Sequence, residues 1–162
     1  MKITDFREMY QTELQEARSV ERQLIDAFPR LIEAASDPDL KDALEAHLGA
    51  MRLRADQVED SLTRQGADPG AHKDQSMRTM IAEAEKWVDM LEGPALRDAG
   101  LIASIQRILH YEIADWGTLA TWAKQLADPD MTIMHEIVDQ KKAADDTLTG
   151  LAKREVNPEA AP

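Results

Sequence analysis

The sequence predicts an all-α protein, a bundle of four long helices with a long crossover that carries a short extra helix. Three observations predict this class. The long segments between breaks are rich in Ala, Leu, Glu, Gln, Arg and Met, which are good helix formers. Their apolar residues recur at three-, four- and seven-residue steps, and no stretch keeps the period of two that is typical of a strand. Most prolines and glycines fall together, at points where helices can begin or end.

The first two long helices are predicted on either side of a short turn at residues 36–39. The first helix carries apolar residues from Phe6 to Leu31, and Pro29 is expected to bend its last turns because it removes a backbone donor. Asp37 followed by Pro38 is a capping side chain before a first-turn proline, which begins the second helix. Because the turn is short, these helices are predicted to be antiparallel neighbours.

The last two long helices are joined equally tightly at Asp128 and Pro129, and we expect them to be antiparallel too. Between the two pairs lies a connection of about 28 residues that contains a short helix, roughly His72 to Leu91. A connection of this length can return along the bundle, so the second and third long helices are predicted to run parallel. That is the topology of ferritin-like bundles with one crossover. A plain up-down-up-down bundle is the alternative, but it needs no such segment.

The chain of 162 residues is predicted to form one helical domain over residues 1–154, followed by a flexible tail over residues 155–162. The first ten residues contain no apolar run, so we expect no signal peptide there. No stretch approaches the roughly 18 apolar residues of a membrane helix, so no membrane span is expected.

The composition excludes several classes of function. There are 31 acidic and 19 basic side chains, which give a formal charge of −12. Nucleic acids and anionic membranes bind clustered positive charge, so neither is an expected partner. Cysteine is absent, which excludes disulfides, thiolate metal sites and a cysteine nucleophile. This composition suits a reducing cytosol, and the protein is predicted to be cytoplasmic.

A few polar residues interrupt the apolar helix faces. Bundle cores can hold metal ions between inward carboxylates and imidazoles, and Glu21, His47 and Glu112 are the candidates for such a site. The alternative for the carboxylates of the first helix, Glu13 and Glu21, is a position at the boundary of the core where their charges reach solvent, and this is favoured for Glu13. The alternative for His47 is a hydrogen-bonded core residue, which is the commoner role of a lone histidine. Gln140 follows Ile137 by three residues and is predicted to point at the core. Basic residues that lie among acids are predicted to form solvated faces; these are Arg52, Arg54, Lys141 and Lys142.

Several stretches carry a family resemblance. They are Asp39–Leu48, Leu109–Leu119 with its HYEIA-x-x-GTL pattern, Trp122–Leu126 and Lys142–Thr149, together with Glu13-Leu14 and Glu21–Leu24. Over roughly residues 3 to 152 the chain resembles the YciF/YciE-like bacterial proteins, the DUF892 family. The resemblance implies a ferritin-like four-helix bundle, often dimeric, that is linked to stress responses and holds a carboxylate-bridged metal pair. It implies no established biochemical activity.

The chain departs from the pattern of that family at several expected metal ligands. Glu21 and Glu112 are kept, but Ala50 and Leu109 stand where the resemblance implies acids, and Gln140 and Lys141 replace consecutive acids. Two divalent ions carry four positive charges, which two carboxylates do not balance in a bundle core. We therefore expect a degenerate di-metal site. A single iron or manganese ion held by Glu21, His47 and Glu112 is the alternative.

The leading hypothesis is a stress-associated, non-enzymatic protein with a structural or binding role, which forms a homodimer and needs no cofactor. The second hypothesis is a metal-dependent oxidase or peroxide-handling protein that uses Glu21, His47 and Glu112. The third is a helical interaction module whose exposed faces bind a protein partner or a second copy.

Overall fold

The computed structural model describes residues 2–161, and within that range every regular element is helical. The helices are α1 Phe6–Ala34, α2 Pro38–Arg64, α3 Gln75–Met90, α4 Pro94–Gln125 and α5 Met131–Leu151, followed by a π-helical turn Ala152–Val156 and a short α6 Asn157–Ala160. The predicted all-α class is confirmed, and α3 is the short helix that was expected in the crossover.

The side chains of Asp5, Asp37 and Asp74 cap three of the helices by accepting a hydrogen bond from a backbone N–H in the first turn. The start of α5 differs from the predicted cap-and-proline start, because the helix begins at Met131 and has no side-chain cap. Asp128 instead accepts from the backbone N–H of Asp130 at 2.8 Å, which holds the tight turn between α4 and α5.

The four long helices form a square in which each helix packs against two neighbours. The helix α1 packs on α2 and α4, and α5 packs on α4 and α2. Asp98 near the start of α4 contacts the turn between α1 and α2, and Arg64 at the end of α2 pairs with Asp130 before α5. Adjacent helices are therefore antiparallel, and the diagonal pair α2 and α4 is parallel. The predicted crossover topology is confirmed.

The buried apolar side chains of the bundle form two clusters, one towards each end. Along α1 the change from one cluster to the other falls between Ala17 and Val20, and along α4 it falls between Leu109 and Trp116. It falls between Met51 and Val58 along α2, and between Val138 and Leu148 along α5. The core is therefore divided at a similar height on all four helices, and the polar residues described below lie at that height.

The described residues of the tail predicted from residue 155 are helical to Ala160. Val156 is only 1% exposed and belongs to one of the two apolar clusters. It follows Leu151 by five residues, and the wider π-helical turn between them keeps both side chains on the buried face. None of the helices in residues 2–161 has the length and continuous hydrophobicity that crossing a bilayer requires.

The turn between α1 and α2 is held by a carboxylate from another helix, which generates a prediction. Asp98 is 4% exposed and accepts hydrogen bonds from the N–H groups of Ser36 at 2.8 Å and Asp37 at 2.9 Å. In Asp98→Ala both donors lose their partner, so the free energy of unfolding should fall by about 2–4 kcal/mol in urea titrations followed by circular dichroism. The exposed acid Asp42 is the matched control, and Asp42→Ala should change the free energy of unfolding by less than about 0.5 kcal/mol. Equal effects of the two substitutions would contradict this role of Asp98.

Candidate functional site

Three charged side chains meet in the core and form what we call the ion triad: Glu21 from α1, Glu112 from α4 and Lys141 from α5. Both carboxylates are 0% exposed and Lys141 is 2% exposed. The Lys141 Nζ atom lies 2.9 Å from Glu21 Oε1 and 2.6 Å from Glu112 Oε1. One ammonium group therefore bridges two helices from a third, at the height where the apolar core is divided.

The two contacts of the ammonium differ in geometry. Lys141 Nζ donates a hydrogen bond to Glu112 Oε1, whereas its contact with Glu21 is an ion pair without hydrogen-bond alignment. In the described structure neither oxygen of Glu21 accepts a hydrogen bond, and Glu112 Oε2 accepts none either. The triad is therefore held mainly by charge.

The protonation of the triad follows from its burial. Loss of water raises the pKa of Glu112 to about 8; the Lys141 ammonium opposes this rise and the nearby Glu21 carboxylate adds to it. Burial favours neutral Lys141, but the two carboxylates outweigh that effect and raise its pKa. Burial therefore favours the protonated form of Glu112, whereas Lys141 keeps its charge. A protonated Glu112 also supplies a hydrogen-bond donor that can serve Glu21.

The predicted solvated face is wrong for Lys141 and for Arg54, which is 8% exposed. Lys141 follows Ile137 by four residues and precedes Leu148 by seven, so it lies on the apolar face of α5. That spacing indicates a buried position for Lys141, whereas its positive charge favours solvent. The prediction of a solvated face followed the charge. Gln140, which was predicted to point at the core, is half-buried and accepts a hydrogen bond from Arg54 Nε at 3.0 Å.

Arg54 of α2 lies near Lys141 and has polar partners of its own. Besides Gln140, its guanidinium bonds to Gln57 at 2.7 Å and forms an ion pair with Glu136 at 3.0 Å. A cavity of about 10 Å³, the size of a single water molecule, is lined by both Arg54 and Lys141. The two buried cations thus have separate carboxylate partners. Lys141 contacts Glu21 and Glu112, and Arg54 pairs with Glu136.

His47 lies near the triad and is not part of it. Its ring packs on Phe28 with the centroids 5.5 Å apart, and its Nε2 atom has no hydrogen-bond partner in the described structure. Burial and the Lys141 charge lower the pKa of His47 to about 3, so the imidazole is neutral at physiological pH. The arrangement agrees with a core histidine, but the hydrogen bond expected for that role is missing.

The side chains at this position do not fit a carboxylate-bridged metal pair. The space between Glu21 and Glu112 holds the ammonium of Lys141, which contacts one oxygen of each. Within residues 2–161, no three or more His, Asp and Glu side chains are grouped so that they could hold a metal ion. The structure brings Glu21 and Glu112 together and does not add His47 as a third ligand.

A second group of acids lies beside the triad along α4. Burial, together with a hydrogen bond to Glu13, raises the pKa of Asp115 to about 9. Tyr111 donates a hydrogen bond to Asp74, the residue that caps α3. The hydrogen bond of Tyr111 ties the crossover to the bundle. Sequence reasoning placed Glu13 at the boundary of the core, and the half-buried side chain agrees with that placement.

Comparison with known proteins gives one family. Residues 5–161 match the family model described as a domain of unknown function, DUF892. The chain is 37% identical to Protein YciF of Escherichia coli K12 over 151 residues, which cover 91% of this chain and 90% of that protein.

Two solved structures share the fold. The crystal structure of the E. coli stress protein YciF superimposes with a TM-score of 0.90 at 32% identity, over 96% of this chain and 99% of that chain. YcfI from Rhodopseudomonas palustris, provisionally described as a structural protein, has a TM-score of 0.87 at 26% identity, over 91% and 95% of the two chains.

The ion triad generates a prediction about stability. Lys141→Met leaves two buried carboxyl groups without a cation, so the free energy of unfolding should fall by about 3–5 kcal/mol in urea titrations. Replacing all three members, as Lys141→Met with Glu21→Leu and Glu112→Leu, removes the buried charges together and should recover most of that loss. A loss below about 1 kcal/mol in Lys141→Met would contradict the role assigned to the ammonium.

The raised pKa of Glu112 generates a prediction about pH. In the unfolded chain this group titrates near 4.5 and in the folded protein near 8, so the folded state binds more protons in between. The contribution of Glu112 to stability therefore falls as pH rises through this window, by at most about 1.4 kcal/mol per pH unit. His47 acts in the opposite direction, but only below about pH 6.5.

Chemical unfolding at pH 6.5, 7.25 and 8 measures this effect. Glu112→Gln keeps the shape of the side chain and removes its titration, so its stability should depend less on pH than that of the wild type. The difference between the two slopes isolates Glu112, because Asp115 and the surface acids titrate in both proteins. Parallel slopes would show that Glu112 keeps an ordinary pKa.

Proposed function

This chain belongs to the DUF892 family, and we propose that it is a stress-associated structural or binding protein with a ferritin-like bundle whose di-metal site is degenerate. In this proposal the ammonium of Lys141 supplies, within the chain, the positive charge that a metal centre would bring. The descriptions of two relatives, a stress protein and a provisionally structural protein, support the general class.

The observation that carries the proposal is the position of Lys141 between Glu21 and Glu112. A catalytic metal centre needs carboxylates that are free to bind the ion and an open coordination position for the substrate. Here one oxygen of each carboxylate already contacts an ammonium group that is itself nearly fully buried. The polar core therefore serves to hold helices together, and we expect no enzymatic activity from it.

Electrostatics also opposes the alternative of a single iron or manganese ion at Glu21, His47 and Glu112. Such an ion would approach Lys141 to within a few ångströms in a core of low dielectric constant, where like charges repel strongly. The Lys141 side chain would have to leave both carboxylates, and an ammonium without a counterion is costly in an apolar core. The ammonium and the metal ion are therefore competing occupants of one position.

Elemental analysis tests the proposal. The full chain, purified and then incubated with iron(II) or manganese(II) before desalting, should retain far less than one ion per chain. Lys141→Glu is the matched variant, because it replaces the ammonium by a third carboxylate and should gain about one divalent ion per chain. Circular dichroism checks that this variant is folded. Stoichiometric metal in the wild-type protein, about one or two ions per chain, would overturn the proposal without reference to the variant.

Two further expectations belong to the proposal. A cytoplasmic location is supported by the acidic, cysteine-free composition. A homodimer is what the family resemblance implies, and size-exclusion chromatography with light scattering measures it.

A further inference from the structure

A cleft lies between α1 and the segment that leads into α3. Its volume is about 370 Å³, and its lining residues come from 18–26 on one side and from 70–78 on the other. The two sides are bonded to each other. Gln23 donates a hydrogen bond to the backbone carbonyl of Asp74 at 2.9 Å, and the Ser19 hydroxyl accepts one from the Asp74 N–H at 3.3 Å. The cleft is therefore a fixed part of the packed structure.

The charge balance of the cleft is the reverse of that of the whole chain. The chain has 31 acidic and 19 basic side chains, whereas lysines and arginines outnumber acids in the lining of the cleft. The cations are Arg18, Arg22, Lys73 and Arg78, and the acids are Asp26 and Asp74. The carboxylate of Asp74 already accepts hydrogen bonds from the Met77 N–H and the Tyr111 hydroxyl. An anion in the cleft would therefore meet mainly cations, and salt screens the acidic surface farther away, beyond about 10 Å at 0.1 M.

The two arginines of α1 are oriented by acids that lie outside the cleft. Arg18 donates to Glu59 through Nε and one Nη atom, and Arg22 uses one Nη atom for both Glu59 and Asp56. Glu59 and Asp56 belong to α2 and do not line the cleft. Within residues 2–161 the other guanidinium N–H groups of these arginines donate no hydrogen bond. Both arginines thus keep donors for a ligand, although the α2 acids offset part of their charge.

Lys73 and Arg78 supply the positive charge that is free to bind an anion. Both are exposed, and in the described part of the chain neither pairs with an acid. One lies in the loop before α3 and the other in α3, so the cations of the cleft approach from three segments. A tetrahedral phosphate accepts hydrogen bonds in several directions and suits such an arrangement better than a planar carboxylate with two oxygens.

The cleft has room for more than a phosphate group. Pockets for small organic molecules begin at about 300 Å³. The side-chain oxygen of Gln23 accepts no hydrogen bond from the described residues, and Asp26 is exposed without a cationic partner among them. Asp26 follows Arg22 by four residues, which is about 6 Å along α1. Hydroxyl groups donate to oxygens of this kind, so a hydroxylated ligand with its phosphate at the cations can also bond to Asp26.

We propose that this cleft binds a small phosphorylated polyol, with its phosphate at Arg18, Arg22, Lys73 and Arg78 and a hydroxyl group at Asp26. The proposal goes beyond the structural role of the ion triad and does not depend on it, so its failure would leave the degenerate metal site as proposed.

Calorimetric titration of the full chain at low ionic strength tests the proposal with three probes: glycerol phosphate, inorganic phosphate and glycerol. We expect glycerol phosphate to bind with a Kd below about 1 mM and glycerol to show no saturable binding. Inorganic phosphate should bind about tenfold more weakly than glycerol phosphate, because it lacks the hydroxyl groups that bond to Asp26.

A double variant tests the cations. Lys73→Gln with Arg78→Gln removes two exposed charges without breaking an ion pair, and glycerol phosphate binding should weaken about tenfold or more. Arg107→Gln with Lys124→Gln is the matched control, because it removes the same charge at exposed positions of α4 outside the cleft. The control should bind glycerol phosphate like the wild type, and circular dichroism checks that both variants are folded.

Asp26→Ala tests the hydroxyl contact separately from the phosphate contact. The preference for glycerol phosphate over inorganic phosphate should largely disappear in this variant. Inorganic phosphate should bind at least as tightly as to the wild type, because a negative charge has been removed from the cleft.

Four results would overturn the proposal. The first is no saturable binding of glycerol phosphate to the wild-type chain. The second is an equal effect of the two double variants, which would indicate a general response to net charge. The third is equal affinity of the wild type for inorganic phosphate and glycerol phosphate, which would indicate an adventitious ion only. The fourth is an unchanged preference in Asp26→Ala, which would remove Asp26 from recognition.

Discussion

The contact of Lys141 with Glu21 and Glu112 constrains the rest of the bundle. Burying an ammonium and two carboxyl groups is costly, and the cost is offset only when all three side chains meet. They come from α5, α1 and α4, so their meeting sets the relative height of three helices. Apolar side chains above and below the triad could pack in several registers, whereas a shifted helix would leave a charge unpaired. We therefore interpret the triad as a device that specifies the register of the bundle, a role in which buried polar groups are best attested.

The neighbouring features follow from that charge. Burial and the Lys141 ammonium together keep the His47 imidazole neutral at physiological pH. Arg54 lies on the side of the triad and finds its own partners in Gln57, Glu136 and Gln140, so that its charge does not add to that of Lys141. A cavity of about 300 Å³ between α2 and α5 is lined by His47 and by no charged side chain.

The fold alone does not decide the chemistry of such a bundle. A ferritin-like arrangement of helices can hold metal ions, but only the residues that face the centre determine whether it does. In this chain Ala50 and Leu109 are apolar at that height, and the remaining carboxylates Glu21 and Glu112 contact an ammonium. The acidity of the chain, with 31 acidic side chains, mostly serves solvent-facing surfaces and does not supply metal ligands.

The sequence by itself determined the helices, because apolar periodicity and the Asp37-Pro38 start are local properties of the chain. It also favoured the parallel run of α2 and α4 over an up-down-up-down bundle, since only a crossover needs a connection as long as residues 65–93. The tertiary structure alone decided where Lys141 lies. Its spacing from Ile137 places it on the apolar face, but its charge favours solvent, and this conflict is resolved by carboxylates from two other helices. The same holds for Val156, which is buried because a π-helical turn directs it back to the core. Burial of a charge depends on partners that are distant in sequence, and no pattern within one helix reveals them.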